Sequence, residues 1–111
     1  MINYETFQNI ELRIAKVLEA ERVEGSDKLL KLYIDLGEEK RQLVAGVGKV
    51  YDPVLLVGRE IVIVANLEPR MLMGLESQGM LLAAVKEIEN GKEVVKILQP
   101  DSDIEEGSRI R

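Results

Sequence analysis

The stretch Leu29–Gly48, LLKLYIDLGEEKRQLVAGVG, decides the fold class. Leu30, Leu32, Ile34 and Leu36 recur at every second position, with Lys31, Tyr33 and Asp35 between them. Successive side chains of a strand point to opposite faces, so this alternation predicts a strand with one apolar and one solvated face. Gly37-Glu38-Glu39 supplies a short connection, and Leu43, Ala45 and Val47 return in phase on a second strand. The two form a hairpin. Gly46 and Gly48 thin the return strand, which marks a bulge or a close approach by another segment.

Upstream, EGSDK (residues 24–28) is a turn that breaks any regular element. Before it, Ile10, Leu12 and Ile14 alternate with Glu11, Arg13 and Ala15, and the phase then slips near Lys16-Val17-Leu18. A slipped phase in a long strand predicts a bulge or strong bend, with a helix as the rival reading of the same segment. Tyr4, Phe7 and Ile10 have the spacing of a short N-terminal helix. Downstream, Asp52 followed by Pro53 predicts the start of one helical turn. REIVIVANL is apolar on both faces and reads as a covered strand. The connection Asn66–Met80 turns at Pro69 and Gly74. MLLAAV and EVVKILQP, separated by the Asn90-Gly91 turn, read as two more strands, and Ile104 and Ile110 are the expected anchors of a polar tail.

These elements make a mostly β chain of five or six short strands with a helical insert after the third. Its 111 residues, 46% of them hydrophobic, suit one domain spanning 1–111 with a modest aliphatic core. A small Greek-key barrel closes such a meander without leaving exposed edges, and the oligonucleotide/oligosaccharide-binding barrel has this pattern. The chain holds no cysteine and no histidine. That excludes disulfides, thiolate metal sites, an imidazole base and a Ser-His-Asp triad, so neither catalysis nor a metal or other cofactor is expected. Apolar runs such as Ile61–Ala65 are far too short to cross a membrane, and MINYETFQNI has no signal-like character, which points to the cytoplasm. The net charge of −5 argues against a nucleic-acid partner when taken alone, although an acidic chain can still present a basic face.

IELRIAKVLEAERV, SDKLLKLYIDLGEEKRQLVAGVGKV, GREIVIVAN and NLEPRMLMGLESQGMLLAA, in this order, carry a resemblance. Together they are similar to the tRNA-binding domain found at the C-terminus of many methionyl-tRNA synthetases, as a free-standing dimeric protein, and in multisynthetase accessory proteins. The match runs from about residue 7 to residue 111. The resemblance implies a five-stranded Greek-key oligonucleotide-binding barrel with a short helix between strands three and four and a short N-terminal helix. It further implies a homodimer that holds tRNA by shape and supplies no aminoacylation chemistry. A chain of this length resembles the beta-type subunit that serves a separate catalytic methionyl-tRNA synthetase chain. A related branch of the same barrel family acts as a dimeric, peptide-binding export chaperone, which is the alternative reading.

The resemblance implies that the tRNA-binding positions are Lys28, Lys31, Tyr33, Arg41, Gln42, Asn66, Arg70, Ser77, Gln78 and Met80. Lys28, Lys31 and Tyr33 combine phosphate contact with ring packing on a solvated strand face. Arg41 suits phosphate and Gln42 a ribose hydroxyl or base edge, while an ion pair to Asp35 or Glu39 is the plain reading of Arg41. Asn66 frames the loop, or satisfies backbone groups at a turn. Arg70 is the one basic residue between positions 61 and 85. Ser77 and Gln78 offer short hydrogen-bonding groups, Gly79 allows close approach, and Met80 is a pliable surface for a base or ribose, or else a core methionine. The chain departs from the family where Glu68, Met71 and Met73 replace cations common in that loop, and these methionines could instead meet a protein partner.

Overall fold

The computed structural model describes residues 1–111. In chain order the elements are α1 (Tyr4–Gln8), β1 (Leu12–Arg22), β2 (Leu30–Asp35), β3 (Lys40–Ala45), β4 (Glu60–Val64), β5 (Arg70–Leu72), β6 (Leu75–Ser77), β7 (Met80–Leu81), β8 (Ala83–Glu87) and β9 (Glu93–Ile97). A single 3-10 turn lies at Pro53–Leu55, and a tight turn with Asn90 at φ 65° spans Glu89–Gly91. Five strands form an antiparallel sheet in the order β3-β2-β1-β4-β7, while β5–β6 and β8–β9 are separate hairpins. The result is a mostly β, curled half-barrel with little helix.

The hairpin read from the alternation forms with Leu30 opposite Ala45 and Asp35 opposite Lys40. Its apolar face is the core: Leu30, Leu32, Ile34 and Leu43 are wholly buried, together with Val17, Leu56, Ile61 and Ile63. Each such side chain contributes about 2 kcal/mol of burial, and Tyr51 packs against the cluster from its side. The segment with the rival helix reading is strand β1, because its two edges have different neighbours along its length. Residues 12–16 pair with β4 and residues 16–22 with β2. The register shifts between Val17 and Glu19, leaving Leu18 as the extra residue that bends the strand from one partner toward the other.

The tail completes β1. The Ile14 amide donates to the Ser108 carbonyl at 2.9 Å, and the Ile110 amide to the Leu12 carbonyl at 3.0 Å, along the edge that β2 leaves open. Ile110 is half-buried, but Ile104 is exposed and is held by its backbone amide on the Glu60 carboxylate (3.1 Å) rather than by its side chain. At Gly48 the close approach is real: its amide donates to the Lys28 carbonyl at 2.7 Å, and a Cβ there would stand 2.8 Å from that oxygen.

Two readings need correction. MLLAAV is not one strand. Met80 and Leu81 pair with β4, Leu82 donates to the Val62 carbonyl at 3.0 Å, and the chain then diverges to pair with β9. A uniformly apolar run carries no mark of where a strand changes partner. The Asn66–Met80 connection also contains more than turns. Met73 (φ 50°) and Gly74 (φ 78°) are both left-handed, the backbone that a two-residue hairpin turn requires, so β5 and β6 close on each other across it.

Candidate nucleic-acid interface

The sheet curls so that the outer edge of β3 meets the Ser77–Gln78 segment. Ser77 is only 4% exposed; its hydroxyl accepts from the Val44 amide at 2.9 Å and donates to the Gly79 carbonyl at 3.0 Å. The Gln78 amide donates to the Gln42 carbonyl (2.9 Å), and the Gln42 amide returns the bond to the Gln78 side-chain oxygen (3.0 Å). The Gln42 side chain donates to the Glu76 carbonyl at 2.9 Å. Arg41 binds the Glu39 carboxylate and donates to the Ala65 carbonyl (2.5 Å) and the Gln78 carbonyl (3.2 Å). Gly79 adopts φ +145°, and a Cβ there would lie 3.0 Å from the Val64 carbonyl and 3.1 Å from the Leu43 side chain. This is a seam that stitches one edge of the half-barrel to the other.

Asn66 makes a similar stitch beside the Arg41 contact with the Ala65 carbonyl. Its side chain accepts from the Glu11 amide (2.8 Å) and donates to the Asn9 carbonyl (2.7 Å), tying the start of β1 to the end of β4. Arg41, Gln42, Asn66, Ser77 and Gln78, expected to offer hydrogen bonds to a ligand, each make hydrogen bonds within the chain. Four of them are buried or half-buried, where polar groups are paired, and Asn66 is exposed. The plain reading of Arg41, an ion pair with Glu39, is the one that forms.

The other candidates remain open to solvent. Lys28, Arg70 and Met80 meet around one groove of about 540 Å³, floored by Leu72, Leu82, Val85 and Val95. Met80 is 43% exposed, so it is not a core methionine. Arg70 and Lys28 form no ion pair. The stem of Lys28 lies across Gly46, where a Cβ would come within 3.1 Å of the lysine Cε. Lys31 and Tyr33 line a smaller cavity of about 210 Å³ beside Glu19 and Glu21. There the Lys31 ammonium pairs with Glu21 at 2.6 Å, while the Tyr33 ring stays exposed. The groove thus gathers Lys28, Arg70 and Met80, and leaves Lys31 and Tyr33 on a neighbouring face.

Sequence reasoning missed the groove's floor and an adjoining cleft. Leu72, Leu82, Val85 and Val95 were legible only as apolar positions in strands or a loop. The cleft, about 490 Å³, is lined by Lys28, Lys49 and Lys92 together with Gly46, Glu93 and Val95. Its lysines come from three separate connections, and no local pattern announces their meeting.

A family model described as "Putative tRNA binding domain" matches residues 12–109. The chain is 56% identical over 109 residues (98% of its length) to a methionine–tRNA ligase of Caldanaerobacter subterraneus subsp. tengcongensis, and 53% identical over 111 residues (100%) to that of Methanothrix thermoacetophila. It spans 16% of the length of each of these relatives. Among solved structures, the MetRS related protein from Pyrococcus horikoshii superposes with a TM-score of 0.89 at 32% identity, covering 100% of this chain and 98% of that one. The chaperone CsaA of Bacillus anthracis superposes with a TM-score of 0.87 at 35% identity, covering 100% and 99%.

Proposed function

Because the chain belongs to the tRNA-binding domain family of the methionyl-tRNA synthetase type, we propose that it is a non-catalytic module that holds tRNA by shape. The observation that carries this reading is the convergence of Lys28, Arg70 and Met80 on one groove with an apolar floor. Unpaired cations at a rim suit phosphates, which position a nucleic acid without reading its sequence. The pliable Met80 and the aliphatic floor suit the face of an unstacked base or a ribose. The strand order β3-β2-β1-β4-β7, with the seam drawing β3 back toward β7, supports a closed five-stranded oligonucleotide-binding barrel. The turn at Pro53–Leu55, capped by Asp52 on the Val54 amide, supplies the helical element between the third and fourth strands of such a barrel.

The module acts as a homodimer and as an accessory, in trans, to a catalytic methionyl-tRNA synthetase chain in the cytoplasm. Support for the dimer comes from α1, which buries no residue although Ile2, Tyr4 and Ile10 bring large apolar surfaces to it. An apolar face of that kind is characteristic of an association surface. Two copies would present paired grooves to one large ligand and raise avidity.

Gel-shift binding to bulk tRNA at low and high salt tests the reading. The expected result is a complex at low salt that weakens as salt rises. Absence of a shift at micromolar protein and low salt would overturn it. The mass of the species eluting with and without tRNA tests the dimer. A peptide-binding, chaperone-like role is the second reading, favoured by the likeness to CsaA and by the exposed Met71 and Met73 on the β5–β6 hairpin. Capture of an unfolded polypeptide, with indifference to tRNA, would select it.

A further inference from the structure

We propose that the cleft lined by Lys28, Lys49 and Lys92 seats consecutive phosphates of an RNA backbone and continues the groove. The strand would then lie with bases in the groove and phosphates in the cleft. This inference rests on the tRNA-binding reading above and extends it to Lys49 and Lys92, which the sequence did not mark.

Three observations carry it. The first is charge. The whole chain has 15 basic and 20 acidic residues, yet this cleft gathers three lysines, with Glu93 the one acidic residue in its lining. Lys28 and Lys92 form no ion pair, and Lys49 reaches only Asp27, at 3.9 Å, with both side chains largely in solvent. An exposed ion pair of that length is worth little and yields readily to a phosphate.

The second observation is continuity. Groove and cleft share Lys28, Gly46, Glu93 and Val95, so they adjoin, and a strand leaving Arg70 and Met80 past Lys28 would reach Lys49 and Lys92. The third is the division of chemistry. The groove's lining is chiefly aliphatic, whereas three of the eight residues lining the cleft are lysines. A nucleic acid strand carries the same division between flat base faces and charged phosphates. Lysine ammonium groups are point charges that recognise phosphate without imposing a planar geometry, which suits recognition by shape.

The test compares the full chain with the double variant Lys49→Gln/Lys92→Gln, using fluorescence anisotropy with bulk tRNA across a salt series. Removing one phosphate-bound lysine lowers the slope of log K against log salt by about 0.7–0.9, so the variant's slope should fall by about 1.5. Lys16→Gln/Lys40→Gln removes the same charge outside both cavities and should keep the original slope. Lys49→Arg/Lys92→Arg should restore it, which separates a charge effect from a folding defect. If the full chain binds tRNA and the glutamine variant keeps its slope, the inference falls and the tRNA reading stands. If the full chain does not bind tRNA, both fall. A variant that loses an unfolded polypeptide while keeping its tRNA slope would reassign the cleft to peptide and also overturn the inference.

Discussion

Arg41 and Arg70 are the same residue type on the same half-barrel, and they do opposite things. The Arg41 guanidinium is enclosed by the Glu39 carboxylate and by the carbonyls of Ala65 and Gln78. Arg70 stands at the groove's rim with no carboxylate partner. The contrast extends to their surroundings. Ser77, Gln42 and Gln78 use their hydrogen bonds within the seam, while Lys28 and Met80 keep theirs, or their surface, for solvent. What distinguishes a side chain still free to meet a ligand from one engaged by the fold is therefore the capacity left over after folding, and residue type alone does not reveal it.

That comparison can be broken from the seam side first, where the effects on stability are largest. Gly79→Ala sets a Cβ against the Val64 carbonyl in a backbone region unfavourable to side chains, and should cost about 3 kcal/mol. Thermal denaturation would show it as a fall in Tm of more than about 10 °C. Ser77→Ala leaves the Val44 amide unpaired in a buried position, for an expected loss of about 2 kcal/mol by urea unfolding. Arg41→Ala removes bonds to two carbonyls and should cost about 1.5 kcal/mol by the same measurement. For all three, tRNA affinity, measured on the folded fraction at low temperature, should hold. A seam variant that keeps full stability but loses tRNA would dissolve the distinction.

The groove side should give the mirror image. Arg70→Gln is expected to change stability by less than about 0.5 kcal/mol, while lowering the salt slope of tRNA binding by about 1. Met80→Ala should be as mild on stability and should weaken binding by about 1 kcal/mol, roughly fivefold, because less side-chain surface packs against a base or ribose.

The hairpin of β2 and β3 was legible because alternation reports directly on burial, and a bend near Leu18 was legible because it interrupts that alternation. The close approach at Gly48 was legible because only glycine leaves room for it. The β5–β6 hairpin was not, since its turn uses Met73 at a positive φ instead of the asparagine that usually marks one. The internal bonds of Ser77 and Gln78 were not legible for a different reason. Their partners, Val44 and Gln42, lie on another strand, so nothing local records that their polar groups are already satisfied. Lys49 and Lys92 stand beside Lys28 only because three connections converge at one end of the sheet.

The seam has one more consequence, and it concerns time. Its bonds join Gln42 to Gln78 and Val44 to Ser77, across sequence separations of 36 and 33 residues. Ordering so long an intervening loop costs entropy before any of those bonds is made, whereas the neighbouring β2–β3 hairpin needs only a short connection. The hairpin should therefore assemble early and the seam late, after the rate-limiting barrier. Weakening the seam would then leave the refolding rate nearly unchanged and make the native chain open faster, so that Ser77 and Gly79 govern how long the folded molecule lasts.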